Sequence, residues 1–183
     1  MPRIKPLLTS KAPAESQPLL EGVQKSFGIT PNLMATLAHS PAALQSYLSF
    51  GQALSKASLS PAIREQLALA IAGENSCGYC ASAHTLLGKN AGVDAPELTR
   101  NLAGNSSDPS VQAAIDFALA IVTKRGWVDD DDLASIRVAG YSEGEVVEII
   151  AVVAQNIFSN YFNHISGAEI DFPEVKVPEP LTT

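Results

Sequence analysis

Two cysteines, a histidine and a carboxylate stand at spacings that could do thiol redox chemistry. The run Cys77-Gly-Tyr-Cys80-Ala-Ser-Ala-His84 holds both cysteines of the chain and one of its three histidines. On a helix, successive residues turn by about 100°, so Cys77, Cys80 and His84 fall within roughly 60° on one face. A dithiol with a base in reach is what a redox centre needs. Glu65 precedes this run. If 61–74 and 77–90 are helices joined at Glu74-Asn75-Ser76, they form an antiparallel hairpin. Glu65 is then about 13.5 Å of helical rise from the end of the first helix, and His84 about 10.5 Å from Cys77. The two face each other at nearly one level, across an interaxial distance of about 8–10 Å. Glu65 also shares a face with Ala62, Leu69 and Ala72, where an unpaired carboxylate is costly.

These residues suggest a relay. Glu65 orients His84 and steadies its charged form, and His84 accepts a proton from Cys80. Ser76 is the expected N-cap of the second helix. Cys77 then lies in the first turn, where the helix dipole favours an anion. A thiol of pKa near 8.5 is about 3% thiolate at pH 7, and one near 6.5 is about 75% thiolate. The difference is under about 3 kcal/mol, which one imidazolium and a helix terminus can supply. Residues i and i+3 of a helix have Cβ atoms about 5–6 Å apart, whereas a disulfide wants about 3.5–4.5 Å. A Cys77–Cys80 bond should therefore be strained and readily reduced, as suits a catalytic disulfide.

The elements that must position these residues are helical throughout. Thr30-Pro31, Ser40-Pro41, Ser60-Pro61 and Asp108-Pro109 each pair a good N-cap with proline at the first helical position. Asp94-Ala95-Pro96-Glu97 and Ser142-Glu143-Gly144-Glu145 have capping-box spacing. Helices are expected at about 16–27, 31–38, 41–57, 61–74, 77–90, 95–103, 109–125, 130–138 and 143–165. Val146 to Val153 is rich in β-branched residues and would suit a buried strand. Its capping box and the length of the run decide for helix. Asp129 to Asp132 is expected to cap the helix near Asp130 and face solvent.

A chain of 183 residues is read as one domain, 1–183, with extended ends at 1–14 and 166–183. Those ends should be ordered only against a neighbouring surface. A net charge of −7 argues against nucleic acid and anionic membranes as partners, since both need a basic patch. The CxxC spacing reads as redox or metal chemistry in a reducing compartment, not as a secreted disulfide framework. Residues 1–14 hold no apolar core of signal-peptide length. The longest apolar region, Val146 to Phe158, is interrupted by Glu148, Gln155 and Asn156, so no membrane span is expected. The expected location is the cytosol.

The five-part pattern of Glu65, Cys77-x-x-Cys80 and His84 resembles the active-site motif of alkylhydroperoxidase D (AhpD)-like proteins, of the carboxymuconolactone decarboxylase superfamily. Gly28-Ile29-Thr30-Pro31-Asn32-Leu33, Ala38-His39-Ser40-Pro41 and Asp171-Phe172-Pro173 also resemble that family, in its peroxidase-related branch. The resemblance implies an all-α, AhpD-like helical bundle with the CxxC at the N-terminus of a central helix. It implies homotrimers or homohexamers, no cofactor and no metal, and thiol-dependent reduction of a hydroperoxide substrate with reset by an external dithiol or protein reductant. In that mechanism Cys80 attacks the peroxide, Cys77 resolves the sulfenic acid, and Glu65 and His84 relay protons. Well-known members carry a second histidine where this chain has Tyr79.

Other readings stand beside this one. The cysteines could be core residues, or zinc ligands with His84 and a fourth group such as His39 or Glu65. Tyr79 could pack or participate, and His39 reads as structural. Asn156, Asn160 and Asn163/His164 form a polar stripe at helical spacing that could line a pocket, satisfy helix ends or meet a subunit. The functional alternatives are a disulfide oxidoreductase and a non-catalytic redox switch or scaffold.

Overall fold

Ser40-Pro41, Ser60-Pro61, Asp94-Ala95-Pro96 and Asp108-Pro109 each start a helix with a capping side chain followed by proline. The computed structural model describes residues 1–177, and every regular element among them is helical. In chain order these are α1 (Gln17–Phe27), α2 (Asn32–Leu37), α3 (Pro41–Leu54), α4 (Pro61–Glu74), α5 (Gly78–Asn90), α6 (Ala95–Leu102), α7 (Pro109–Thr123), α8 (Asp130–Val138) and α9 (Glu143–Ser166), after a 3₁₀ turn at Thr9–Lys11. None of these helices is long and apolar enough to cross a membrane. Val146 to Val153 is helical. Its start is held by the reciprocal bonds of Ser142 and Glu145.

Three local expectations are revised. Thr30 does not cap α2: Pro31 holds that position, and the Asn32 N–H donates instead to Asp171 Oδ2 at 2.6 Å. Asp94 Oδ1 caps α6 by accepting from Glu97 N at 2.8 Å, but the Glu97 carboxylate turns to Ser106 and Ser107 and completes no box. The extended ends lie on their own chain. Arg3 N and Ile4 N donate to Ser166 O at 2.7 and 3.0 Å, Leu7 N donates to Ala35 O at 3.1 Å, and Val175 N donates to Ser82 Oγ at 2.9 Å. Ser166 itself is the last residue of α9. The segment Pro178-Glu179-Pro180 lies outside the described residues.

The α4–α5 hairpin is the centre of the molecule. A first core gathers Leu67, Ile71, Ile115, Phe117, Ile136, Ile149 and Val153 from α4, α7, α8 and α9. A second gathers Leu20, Leu33, Leu37, Tyr79 and both cysteines, with Phe172 and Val175 of the C-terminal segment packed on it. Two glycines set the closeness of α6 to the hairpin. A Cβ at Gly73 would stand 2.0 Å from the Leu102 carbonyl oxygen, and one at Gly88 would stand 2.6 Å from Leu98 Cδ2. α9 closes the hairpin from the side and carries its asparagines inward, with Asn156, Asn160 and Asn163 buried.

Candidate active site

The dithiol is built at the turn between α4 and α5. Ser76 adopts φ +53° and Cys77 N donates to Ala72 O at 2.8 Å, which closes the turn. The expected N-cap therefore moves by one residue. Cys77, not Ser76, caps α5, and its Sγ accepts from Cys80 N at 3.4 Å. The sulfur is thus placed against the free N–H groups of the helix N-terminus, where negative charge is favoured. Both cysteines are free thiols and both are buried.

Glu65 and His84 meet as the helical arithmetic requires, with His84 Nδ1 2.7 Å from Glu65 Oε2 and both side chains 21% exposed. Burial draws the His84 ring towards neutrality. The charge and hydrogen bond of Glu65, then Cys77 and Asn156, outweigh it, and the ring titrates above its ordinary value. No hydrogen bond joins this ring to either sulfur among the described residues, so its influence on the dithiol is electrostatic.

The two thiols titrate as a pair. The hydrogen bond from Cys80 lowers Cys77 against the cost of burial, helped by the Cys80 N–H, the charge of His84, and Asn163. Its counterpart is raised: the same bond to Cys77, burial and the Cys77 charge push Cys80 well up. Cys77 is therefore the more acidic of the two thiols, and Cys80 is hydrogen-bonded to its sulfur and not to the His84 ring.

Access runs the other way. A cleft of about 710 Å³ is bounded by α1, α3, α4, α5 and α9. Cys80, Glu65 and His84 line it, among apolar walls that include Val23, Met34, Leu48 and Val152. Cys77 is not on that lining. It lies at the turn over which the C-terminal segment runs, where a Cβ at Gly78 would be 3.6 Å from Ile170 and 3.8 Å from Val177.

The remaining candidates separate cleanly. Tyr79 is a strut: its hydroxyl accepts from Leu33 N at 3.1 Å and its ring meets Phe172 edge-on at 5.5 Å. Burial holds its phenol protonated. His39 Nε2 is 3.0 Å from Lys5 O, away from the dithiol, so the four-ligand set with His39 is not assembled. Among the described residues, no group of three or more His, Cys, Asp and Glu side chains stands where it could hold a metal. The asparagine stripe divides. Asn156 and Asn163 line the cleft, Asn160 Oδ1 accepts from Asn75 Nδ2 at 2.9 Å, and His164 is exposed.

Asn163, read from the sequence as part of a stripe that could line a pocket, does so, and its Nδ2 donates to Cys80 Sγ at 3.3 Å. One residue of the site was not singled out from the sequence. Tyr47 of α3 also lines the cleft and stacks on Phe158 at 5.9 Å. Burial, then the charges of Cys80 and Glu65, raise its phenol. Nothing in the sequence marks it.

The carboxymuconolactone decarboxylase family matches residues 41–124, a segment that contains Glu65, Cys77, Cys80 and His84. No curated protein matches the chain significantly. Among solved structures, a peroxidase-related protein with an alkylhydroperoxidase AhpD core from Ralstonia eutropha JMP134 is 23% identical, with a TM-score of 0.83 over 92% of this chain and 93% of that one. A peroxidase-related protein from Silicibacter sp. TM1040 is 20% identical, with a TM-score of 0.78 over 86% and 85%. The debrominase Bmp8, in complex with 2,3,4-tribromopyrrole, is 21% identical, with a TM-score of 0.79 over 92% and 91%. Residues 41–124 thus match the carboxymuconolactone decarboxylase family, and the chain as a whole has the AhpD-like helical fold of these peroxidase-related structures.

Proposed function

We propose that the chain is a thiol-dependent hydroperoxide reductase in antioxidant defence. The observation that carries this reading is the placement of Cys80 on an apolar cleft, with Cys77 and the Glu65–His84 pair behind it. As Cys80 attacks, its proton passes to Cys77 and its sulfur bonds to the terminal oxygen of ROOH. The O–O bond breaks, and the leaving alkoxide takes a proton from His84, giving ROH and a Cys80 sulfenic acid. The Cys77 thiol loses its proton to His84 and attacks Cys80 Sγ. The S–S bond forms, the S–O bond breaks, and hydroxide departs as water with the proton returned by His84. An external dithiol, oxidised in turn, resets the pair. A reducing compartment such as the cytosol suits that reset.

Apolar walls around a buried thiol favour a bulky organic hydroperoxide over a charged one. Burial of both sulfurs disfavours disulfide exchange with folded proteins. The same dithiol could reduce a brominated heteroaromatic, exchanging C–Br for C–H with release of bromide and formation of the disulfide. The apolar cleft supports that as the second reading. The active assembly is a homo-oligomer, a trimer or hexamer, formed through the exposed apolar stripe of α9.

Steady-state consumption of cumene hydroperoxide with a panel of dithiols, including dihydrolipoamide, is the test. Many turnovers per dithiol support the peroxidase, and a single turnover supports a redox switch. Bromide release without peroxide consumption supports the second reading.

A further inference from the structure

The proposed mechanism leaves two buried amide groups beside the reactive sulfur without a role. Asn160 and Asn163 stand one turn apart on α9, so their side chains share a face. Asn163 spends one N–H on Cys80 Sγ, at 3.3 Å, and its Oδ1 is buried with no hydrogen-bond partner. Asn160 is fully buried. Its Oδ1 accepts from Asn75, the C-cap of α4, and its Nδ2 has no partner. Both amides also act on Cys80, each drawing its thiol down against the stronger influences that raise it. Buried polar atoms in folded proteins are nearly always paired, so the unpaired Asn163 acceptor, on a side chain that lines the cleft and touches Cys80 Sγ, calls for a partner.

We propose that Asn163 is a catalytic residue that holds the hydroxyl group transferred from the peroxide to Cys80. This rests on the peroxidase reading above. The terminal O–H of a hydroperoxide that enters the cleft has one proton to donate. It donates to Asn163 Oδ1, which holds the terminal oxygen beside Cys80 Sγ. When the S–O bond has formed and the O–O bond has broken, the same hydroxyl sits on sulfur as the sulfenic acid. Its proton still needs an acceptor, so the Asn163 amide follows it through the reaction. The amide then holds it until Cys77 displaces it as water. The R group plays no part in this recognition and lies along the apolar wall. The site should therefore discriminate weakly among alkyl groups and strongly for a terminal O–H.

The test compares two reactions of the fully reduced protein. One is single-turnover oxidation by cumene hydroperoxide, read as loss of two thiols. The other is alkylation by iodoacetamide, which needs the same thiolate and the same access but carries no transferable hydroxyl. Asn163→Ala should slow oxidation by about 100-fold, the scale of losing a donor or acceptor aimed at the reacting oxygen, and slow alkylation by less than about 3-fold. Asn163→Ser, which is smaller but polar, should recover part of the oxidation rate. It also serves as the test variant if the alanine protein does not fold. Equal losses in both reactions would overturn the proposal and leave Asn163 acting only on thiol acidity. No loss in either would overturn it too. If the protein with Asn163 intact does not react with peroxide but is alkylated, the peroxidase reading fails and this assignment falls with it.

Discussion

His84 Nδ1 lies 2.7 Å from Glu65 Oε2 across the α4–α5 hairpin, although the two residues are nineteen positions apart in the chain. The ring is gripped on one nitrogen by a carboxylate that shares its partial burial. When protonated, the ring bears a charge that acts on Cys77. One carboxylate–imidazole contact therefore bears on both the base and the dithiol of the site.

The pH dependence follows from the directions of the two shifts. Cys77 titrates below its ordinary value, so activity should rise with pH through that lowered value. His84 titrates above its ordinary value, so activity should fall as pH climbs through that raised value and the proton donor is lost. Glu65→Gln removes the main support of the imidazolium. Burial then dominates, and the alkaline limb should move to lower pH. His84→Ala removes a charge that lowers Cys77, so it should raise that thiol and cost about 10–100-fold in rate near pH 7. Thiolate absorbance followed against pH measures this. An unchanged titration in His84→Ala would leave helix position as the activator.

Much of this arrangement was legible because it is local. Ser60-Pro61 and the Ser142–Glu145 box mark helix starts, and constant helical rise brings Glu65 level with His84. What was not legible is one tight turn and two long-range closures. The positive φ of Ser76 arises from the tight return to Ala72 O, which moves the cap to Cys77. The α2 N-terminus is capped by Asp171 from the far end of the chain, and Asn163 reaches Cys80 from a helix 83 positions away. No window of neighbouring residues contains either partner.

Glu97 clamps the loop between α6 and α7. Burial opposes its ionisation, but hydrogen bonds from Ser106, Ser107 and Asn101 prevail, and its pKa is about 2 against an ordinary 4.5. A depressed carboxylate stabilises the fold above its unfolded pKa, and that contribution fades as pH falls through the folded value. Stability should therefore decline between about pH 4.5 and 2. Glu97→Gln should be less stable than the parent near pH 7 and lose less on acidification. Denaturant midpoints at pH 7 and pH 3 check this; equal differences at both would contradict it.

Gly73 sits where α4 meets the end of α6. Gly73→Ala would drive a methyl into the Leu102 carbonyl, 2.0 Å from the Cβ position, so backbone must shift. A loss of about 1–3 kcal/mol is expected. Gly22→Ala, where a Cβ meets nothing within 4 Å, is the control and should gain stability slightly. Thermal melts of the two variants decide it.

Val147, Ile150, Phe158, Tyr161 and Ile165 leave an exposed apolar stripe along α9, from 45% to 64% accessible. Single exposed apolar residues are ordinary, but a continuous stripe marks an interaction face. Tyr161→Glu and Ile165→Glu should each dissociate the proposed oligomer. Light scattering at micromolar concentration tests it, and a fully active monomer in the unaltered protein would contradict an oligomeric active form.

Which sulfur takes the oxygen decides the mechanism. Cys80 opens onto the cleft, and Cys77, the more acidic thiol, lies off its lining. Cys80→Ser should abolish peroxide reduction, and Cys77→Ser should form one sulfenic acid per chain without turnover. Sulfenic-acid trapping after a single equivalent of cumene hydroperoxide, with the labelled residue located by mass spectrometry, is the most direct measurement. Label on Cys80 in Cys77→Ser, and none in Cys80→Ser, is the predicted result; label on Cys77 in Cys80→Ser would contradict the account.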